Sequence, residues 1–154
     1  MKLYFSVPAE TTVNPKQTLV AFCAYLTHNN GPLPDDHVIR FDKVQSNVGN
    51  GYNVHSGSFI VPQTGVYVFT YTLVITSSSE VCTFLIINGV KSGADYANSG
   101  SLNVIQTSTS IVVVQVNQGD TIFVRTTTDG NCGQTGIAYG DTWRRSSFAG
   151  WLLG

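Results

Sequence analysis

The sequence predicts an all-β sandwich of two stacked antiparallel sheets with about ten strands, and three observations predict it. Across 154 residues, Val, Ile and Thr number 45 against 16 for Ala and Leu; branched Cβ atoms lose rotamer freedom on a helix and pack well on a pleated sheet. Short β-rich runs alternate with Gly, Pro, Asn and Asp along the chain, which is the rhythm of a sandwich. Period-two alternation over 66–73 puts Tyr67, Phe69, Tyr71 and Leu73 on one face and Val66, Val68, Thr70 and Thr72 on the other.

Taken in order, residues 1–18 hold Pro8, Pro15 and Thr11-Thr12 with no apolar period and read as an amino-terminal tail, leaving 19–154 as the single folded domain. β-rich runs follow at 19–27, 38–41, 58–61, 66–76, 81–87, 102–116, 121–127, 136–139 and 147–153. The run over 66–76 carries apolar atoms on both faces and suits an interior strand. Asn88-Gly89 and Gln118-Gly119-Asp120 are turn signals, because Asn and Gly tolerate the positive φ of tight hairpins. No second domain boundary, internal repeat, heptad pattern or collagen-like Gly-X-Y stretch occurs.

Charge narrows the function classes. With 8 basic and 9 acidic side chains the net charge is −1, so the chain carries no clustered field for nucleic acid or anionic lipid. The longest apolar run, 111–114, is far short of the roughly 20 residues a membrane helix needs, and no membrane insertion is expected. The first residues contain no apolar stretch of about 7–15 residues, so the chain holds no intact secretory signal. Cys23, Cys82 and Cys132 leave one thiol unpaired in a monomer, and no CxxC spacing suggests zinc or redox chemistry.

One long pattern joins Phe41, Asn47, Tyr52, Phe59, Gly65, Tyr67, Phe69 and Tyr71. It fills every position of F-x5-[ND]-x4-aromatic-x6-F-x5-G-x-Y-x-F-x-aromatic, and through it the chain resembles the C1q globular-domain family. Val20-Ala21-Phe22, Gln118-Gly119-Asp120 and the stretch 148–153 are similar to the same family, so the resemblance covers 19–153. It implies a jelly-roll β-sandwich, in which alternate rings, each burying about 150–250 Å², build the core between the sheets. Gly65 suits a tight strand entry, where a side chain would clash or φ is positive. The resemblance also implies a homotrimer and a secreted, extracellular, lectin-like protein that binds glycan or microbial surface ligands in innate immunity. A structural or adhesive trimerisation module and a cytokine-like ligand for a protein receptor are the alternatives.

Some complement heads carry an Asp-Tyr-Ala segment and a later Gln that hold calcium. Here Asp95-Tyr96-Ala97 and Gln106 resemble that set, with a carboxylate and a backbone carbonyl as oxygen ligands. Those heads have a cysteine where this chain has Ala94, so their disulfide to the position of Cys82 has no counterpart. Cys82 is left to pair with Cys132 or to sit reduced in a strand, and the reduced reading is preferred.

Two polar loops are the candidate ligand-binding surface. Asp141, Trp143, Arg144 and Arg145 bring an indole that stacks on apolar sugar faces next to half of all the arginines, which bind carboxylates bidentately. Asp129, Asn131 and Gln134 bring the carboxylate and amides that suit several hydroxyls. His28, His37 and His55 lack i, i+4 spacing or a Cys/His cluster and read as surface or turn residues. With only Glu10 and Glu80 as glutamates and no nucleophile elbow, no enzyme is predicted.

Overall fold

The computed structural model describes Lys2, residues 18–133 and residues 136–154. Ten strands form: β1 (Ala21–Tyr25), β2 (Lys43–Val48), β3 (Tyr52–Asn53), β4 (Ser58–Ile60), β5 (Gly65–Ile75), β6 (Glu80–Ile87), β7 (Val90–Asn98), β8 (Gln106–Val116), β9 (Thr121–Thr126) and β10 (Ser147–Leu152). They pair antiparallel in two five-stranded sheets, β2-β1-β10-β5-β8 and β3-β4-β9-β6-β7. Only β1–β2, β3–β4 and β6–β7 stay within one sheet; the other connections cross the sandwich, the wiring of a jelly roll. The tail expected over 1–18 lies, apart from Lys2 and Thr18, outside the described residues.

The first and last strands lie side by side, with Ala21 opposite Trp151, and the Leu152 amide donates to the Val20 carbonyl at 3.0 Å. Both ends of the domain therefore leave from one pole, the base. Loops 26–42, 76–79, 99–105 and 127–146 gather at the other pole, the tip.

Alternation on β5 explains the core. Tyr67, Phe69, Tyr71 and Leu73 are fully buried, and Phe22, Phe59 and Phe148 meet them from β1, β4 and β10. Phe22 stacks on Phe59 at 4.5 Å and meets Phe148 edge-on at 4.8 Å, contacts worth about 0.5–1.5 kcal/mol each beyond area burial. Gly150 makes room for these rings: a Cβ there would stand 2.6 Å from Phe69 and 2.8 Å from Phe22. At Gly65 close approach rather than positive φ is the constraint, because a Cβ would meet the Leu152 side chain at 2.5 Å. Asn47 ties its own segment to Tyr52, donating to the Tyr52 carbonyl at 2.9 Å and accepting from its amide at 3.0 Å. The Tyr52 hydroxyl donates to the Phe41 carbonyl at 3.0 Å. The spaced pattern is thus a set of packing and tethering residues.

Several expectations need correction. β2, β3 and β7 form where no strand was expected, while 38–41 and 136–139 contribute only isolated bridges, Val38 to Arg125 and Ala138 to Asn30 and Ile75. β2, β3 and β7 lie at sheet edges, where one side is solvent and apolar alternation is not required. Cys82 is not a reduced strand cysteine: it is bonded to Cys132, with a Cα–Cα distance of 6.2 Å. β6 and the tip loop run together there, the Thr127 amide donating to the Cys82 carbonyl at 3.0 Å. Cys23 is a free thiol. Asn88-Gly89 forms the turn between β6 and β7 with φ of 48° and 79°, as its residue types require.

Candidate functional site

The tip carries one side chain with almost no contact to the protein. Trp143 is 91% exposed at the end of a short hairpin closed by the Gly140–Arg145 bridge. Asp141 builds that turn. Its Oδ1 accepts from the Trp143 and Arg144 amides at 2.9 and 2.7 Å, and its Oδ2 accepts from Arg144 Nε at 2.7 Å. The Arg144 guanidinium and then the two amides hold the Asp141 carboxyl down to about 2. Arg144 also lies over the Tyr139 ring at 4.0 Å, and Arg145 over the Tyr25 ring at 4.5 Å. Gly140 lets the hairpin sit flat on 26–28, since a Cβ would come within 2.6 Å of Leu26 Cβ and 2.8 Å of the His28 nitrogen. Arg144 is engaged within the turn, while Arg145, stacked on Tyr25, stays exposed near the indole.

Asp129 and Asn131 are also at the tip but have different neighbours, and Gln134 lies outside the described residues. Asp129 forms an ion pair with Lys91 of β7, which holds its carboxyl below the usual carboxylate range. Lys91 in turn stands over the Phe84 ring at 4.6 Å. Gly130 and Asn131 turn the chain at φ of 73° and 68° toward the disulfide at Cys132. Asp129, Phe84, Tyr96 and Cys82 line a depression of about 310 Å³ on the outer face of β6 and β7, near the low end of ligand-site volumes. The expected single surface is therefore two patches, one built on Trp143 and one on Asp129. No sequence signal placed Phe84, Lys91 or Tyr96 beside Asp129.

Of the residues expected at a metal, Asp95 and Tyr96 do not face each other as side chains. Asp95 and Tyr96 are consecutive on β7 and point to opposite faces. Asp95 faces β8, where it accepts from the Ser108 hydroxyl, and its Oδ2 is buried with no hydrogen-bond partner. Tyr96 faces outward; its hydroxyl donates to Glu80 at 3.0 Å and accepts from the Asn98 amide at 2.5 Å. Gln106 opens β8 opposite Ile75 and is exposed. The unpartnered Asp95 oxygen fits a cation, and the Tyr96 side chain, on the other face of β7, is not beside it. Among the described residues, Glu80, Cys82 and Cys132 also bring three ligand-type atoms together, but the two sulfurs are bonded to each other.

Two further surfaces had no sequence signal. The outer face of the first sheet exposes Ile111 (67%) and Val113 (60%) on β8, together with Val48 on β2 and Trp151 on β10. Along the side where β2 and β3 form the sheet edges runs an open groove of about 740 Å³, walled by Asn50, Asn53 and Gln118 among others. It adjoins a pocket that contains all three histidines.

Comparison with known proteins agrees with the architecture. The family model described as "C1q domain" matches residues 21–153. Caprin-2 of Danio rerio is 33% identical over 138 residues, covering 89% of this chain and 14% of that protein. Complement C1q tumor necrosis factor-related protein 3 of Mus musculus is 34% identical over 143 residues, covering 90% of this chain and 53% of that protein. The chain thus spans at most about half the length of these relatives. Among solved structures, the globular domain of zebrafish complement 1qA superposes with a TM-score of 0.68 at 16% identity, over 88% of this chain and 98% of that one. The Eiger TNF of S. frugiperda gives 0.64 at 13% identity, over 90% of this chain and 94% of that one.

Proposed function

The chain belongs to the C1q-domain family, and from that premise we propose that it is an oligomeric recognition protein whose tip binds glycans or microbial surface components outside the cell. Domains of this family are typically oligomeric and serve immune or ligand signalling. The observation that carries the reading is Trp143, exposed on a turn that its neighbours hold in one shape. An indole held out in this way gives up little conformational freedom on binding and stacks on the apolar face of a sugar ring. A single such contact supports only weak affinity, near millimolar or about −4 kcal/mol. Three copies tethered in one assembly raise avidity by about 10²–10⁴ where a surface presents repeated ligands. An oxidising, extracellular setting suits the Cys82–Cys132 disulfide.

A glycan array and a bacterial aggregation assay on the assembled protein test this. Trp143→Ala is expected to weaken ligand binding by more than about 1 kcal/mol, roughly fivefold, with an unchanged melting temperature. Binding that survives this change removes the turn from the site. An assembled form that ignores every sugar and microbial surface component but captures a protein partner overturns the lectin reading in favour of a cytokine-like one.

Calcium at Asp95 belongs to the same proposal and is supported by the buried, unpartnered Oδ2. The Asp95 carboxylate and nearby backbone carbonyls would hold the ion, which prefers oxygen ligands. Millimolar calcium is then expected to raise the melting temperature by a few degrees, and Asp95→Ala to abolish the rise. An identical melting curve with calcium and with chelator ends the idea.

A further inference from the structure

All three histidines of the chain line one pocket. His28 comes from the loop after β1, His37 from further along the same loop, and His55 from the turn between β3 and β4. Asn30, Arg40, Asp42 and Val54 complete the wall of a pocket of about 330 Å³. That is several times the size of an inorganic oxyanion and within the range of small-molecule sites.

Of the two formal charges on its wall, Arg40 and Asp42, only the carboxylate is closely engaged by neighbours. Arg40 makes no ion pair among the described residues; its one hydrogen bond is a long one, 3.5 Å, to the His55 carbonyl. Asp42 is occupied locally. It accepts from the Thr27 amide at 2.9 Å and from the Thr27 hydroxyl, and lies 3.7 Å from His28 Nδ1. Behind His37, Asp36 and Arg125 of β9 pair with each other at 2.9 Å. Lys43 follows Asp42 at the start of β2. One guanidinium and three imidazoles therefore surround the space, with one carboxylate that already has partners. The Arg40 guanidinium and the imidazole N–H groups supply several donors, which suit an oxyanion with several acceptor oxygens.

The pocket does not end blindly. It shares Val54 and His55 with the 740 Å³ groove, where the amides of Asn50, Asn53 and Gln118 offer donors and acceptors for hydroxyls. We propose that this side of the sandwich binds a sulfated sugar, the sulfate seated among Arg40, His28, His37 and His55 and the ring in the adjoining amide-lined groove, and that binding tightens in mild acid.

Histidines as a class gain their proton near pH 6.5. Burial, and next the Arg40 charge, keep His37 below that value, so it is neutral at pH 7.5 and a bound anion favours its protonation. Affinity then rises as pH falls. A sulfate ester keeps its full charge over that interval, whereas a phosphate monoester, with a second pKa near 6, loses part of it. Trp143 does not line this pocket, so the imidazole shifts measured in Trp143→Ala separate the two readings.

The test is a titration of the full chain with N-acetylglucosamine 6-sulfate at pH 7.5 and 5.5, followed by calorimetry and by imidazole NMR. Unsulfated N-acetylglucosamine and inorganic sulfate are run in parallel. The expected result is at least tenfold tighter binding of the sulfated sugar at pH 5.5, with shifts at all three histidines. Inorganic sulfate binds more weakly, the unsulfated sugar gives no histidine shift, and Trp143→Ala leaves the three imidazole shifts with the sulfated sugar in place. Arg40→Gln and the pair His37→Gln with His55→Gln are expected to lose at least tenfold of the affinity at pH 5.5. Equal affinity at the two pH values, or unmoved imidazoles in the unaltered protein, overturns the proposal even if a variant fails to fold. Inorganic sulfate binding as tightly as the sulfated sugar overturns it too, by showing that the groove takes no part.

Discussion

Asp141 decides whether Trp143 is a rigid probe or a loose one. Its carboxylate carries two backbone amides and one guanidinium at once, so losing it frees the turn without touching the core. Asp141→Ala is expected to raise hydrogen exchange at the Trp143 and Arg144 amides and to weaken tip binding about as far as Trp143→Ala does, with a slightly lower melting temperature because the carboxylate is exposed. The pH dependence has a definite sign. A carboxyl depressed from its ordinary value of 3.8 to about 2 adds stability that is complete above 3.8 and lost as pH falls toward 2. Trp143 fluorescence should therefore be constant from pH 8 to 4 and change only below that. The Asp141 turn and its exposed indole were legible as a loop in the sequence. That Arg144 bonds Asp141 within the turn was not, because spacing alone does not say which partner a guanidinium chooses.

Strands differ in how much of themselves they write into the sequence. β5 was legible residue by residue because it packs against both neighbours and one face fills the core, so its rings recur at every second position. β2 and β7 carry Gln, Ser, Asn, Lys and Asp, since an edge strand with one open side needs charge and polarity more than alternation. The sequence left the Cys82–Cys132 pairing as one of two readings for a related reason: the cysteines are 50 positions apart, and only the folded chain brings β6 and the tip loop together. Closing a loop of that length removes enough freedom from the unfolded chain to stabilise the fold by about 2–4 kcal/mol. The double change Cys82→Ser with Cys132→Ser should lower stability in urea unfolding by that amount. Exchange protection should fall over 127–133 but persist at Asp141 and Arg144, whose hydrogen bonds do not involve the disulfide. The histidine pocket follows the same rule, since its members meet only after the β3–β4 turn is laid against the loop following β1.

At the scale of the whole molecule, the outer face of the first sheet is where copies are expected to meet. Ile111 and Val113 stand on an edge strand and are largely exposed in the single copy, and uncovered apolar edges invite uncontrolled pairing. Burying that face between copies is the economical solution. Light scattering on a sizing column should find three chains per particle in the unaltered protein. Ile111→Glu with Val113→Glu should give a folded monomer, because both side chains point away from the core and a buried unpaired charge is costly only in the assembly. A trimer that survives both changes places the contact elsewhere. The adjacency of β1 and β10 at the base has a practical corollary. A linker that departs beside β1 or β10 leaves the domain at the pole opposite the indole-bearing loop, so attachment there to a bead, a biosensor chip or a fusion partner turns that loop toward the bulk phase.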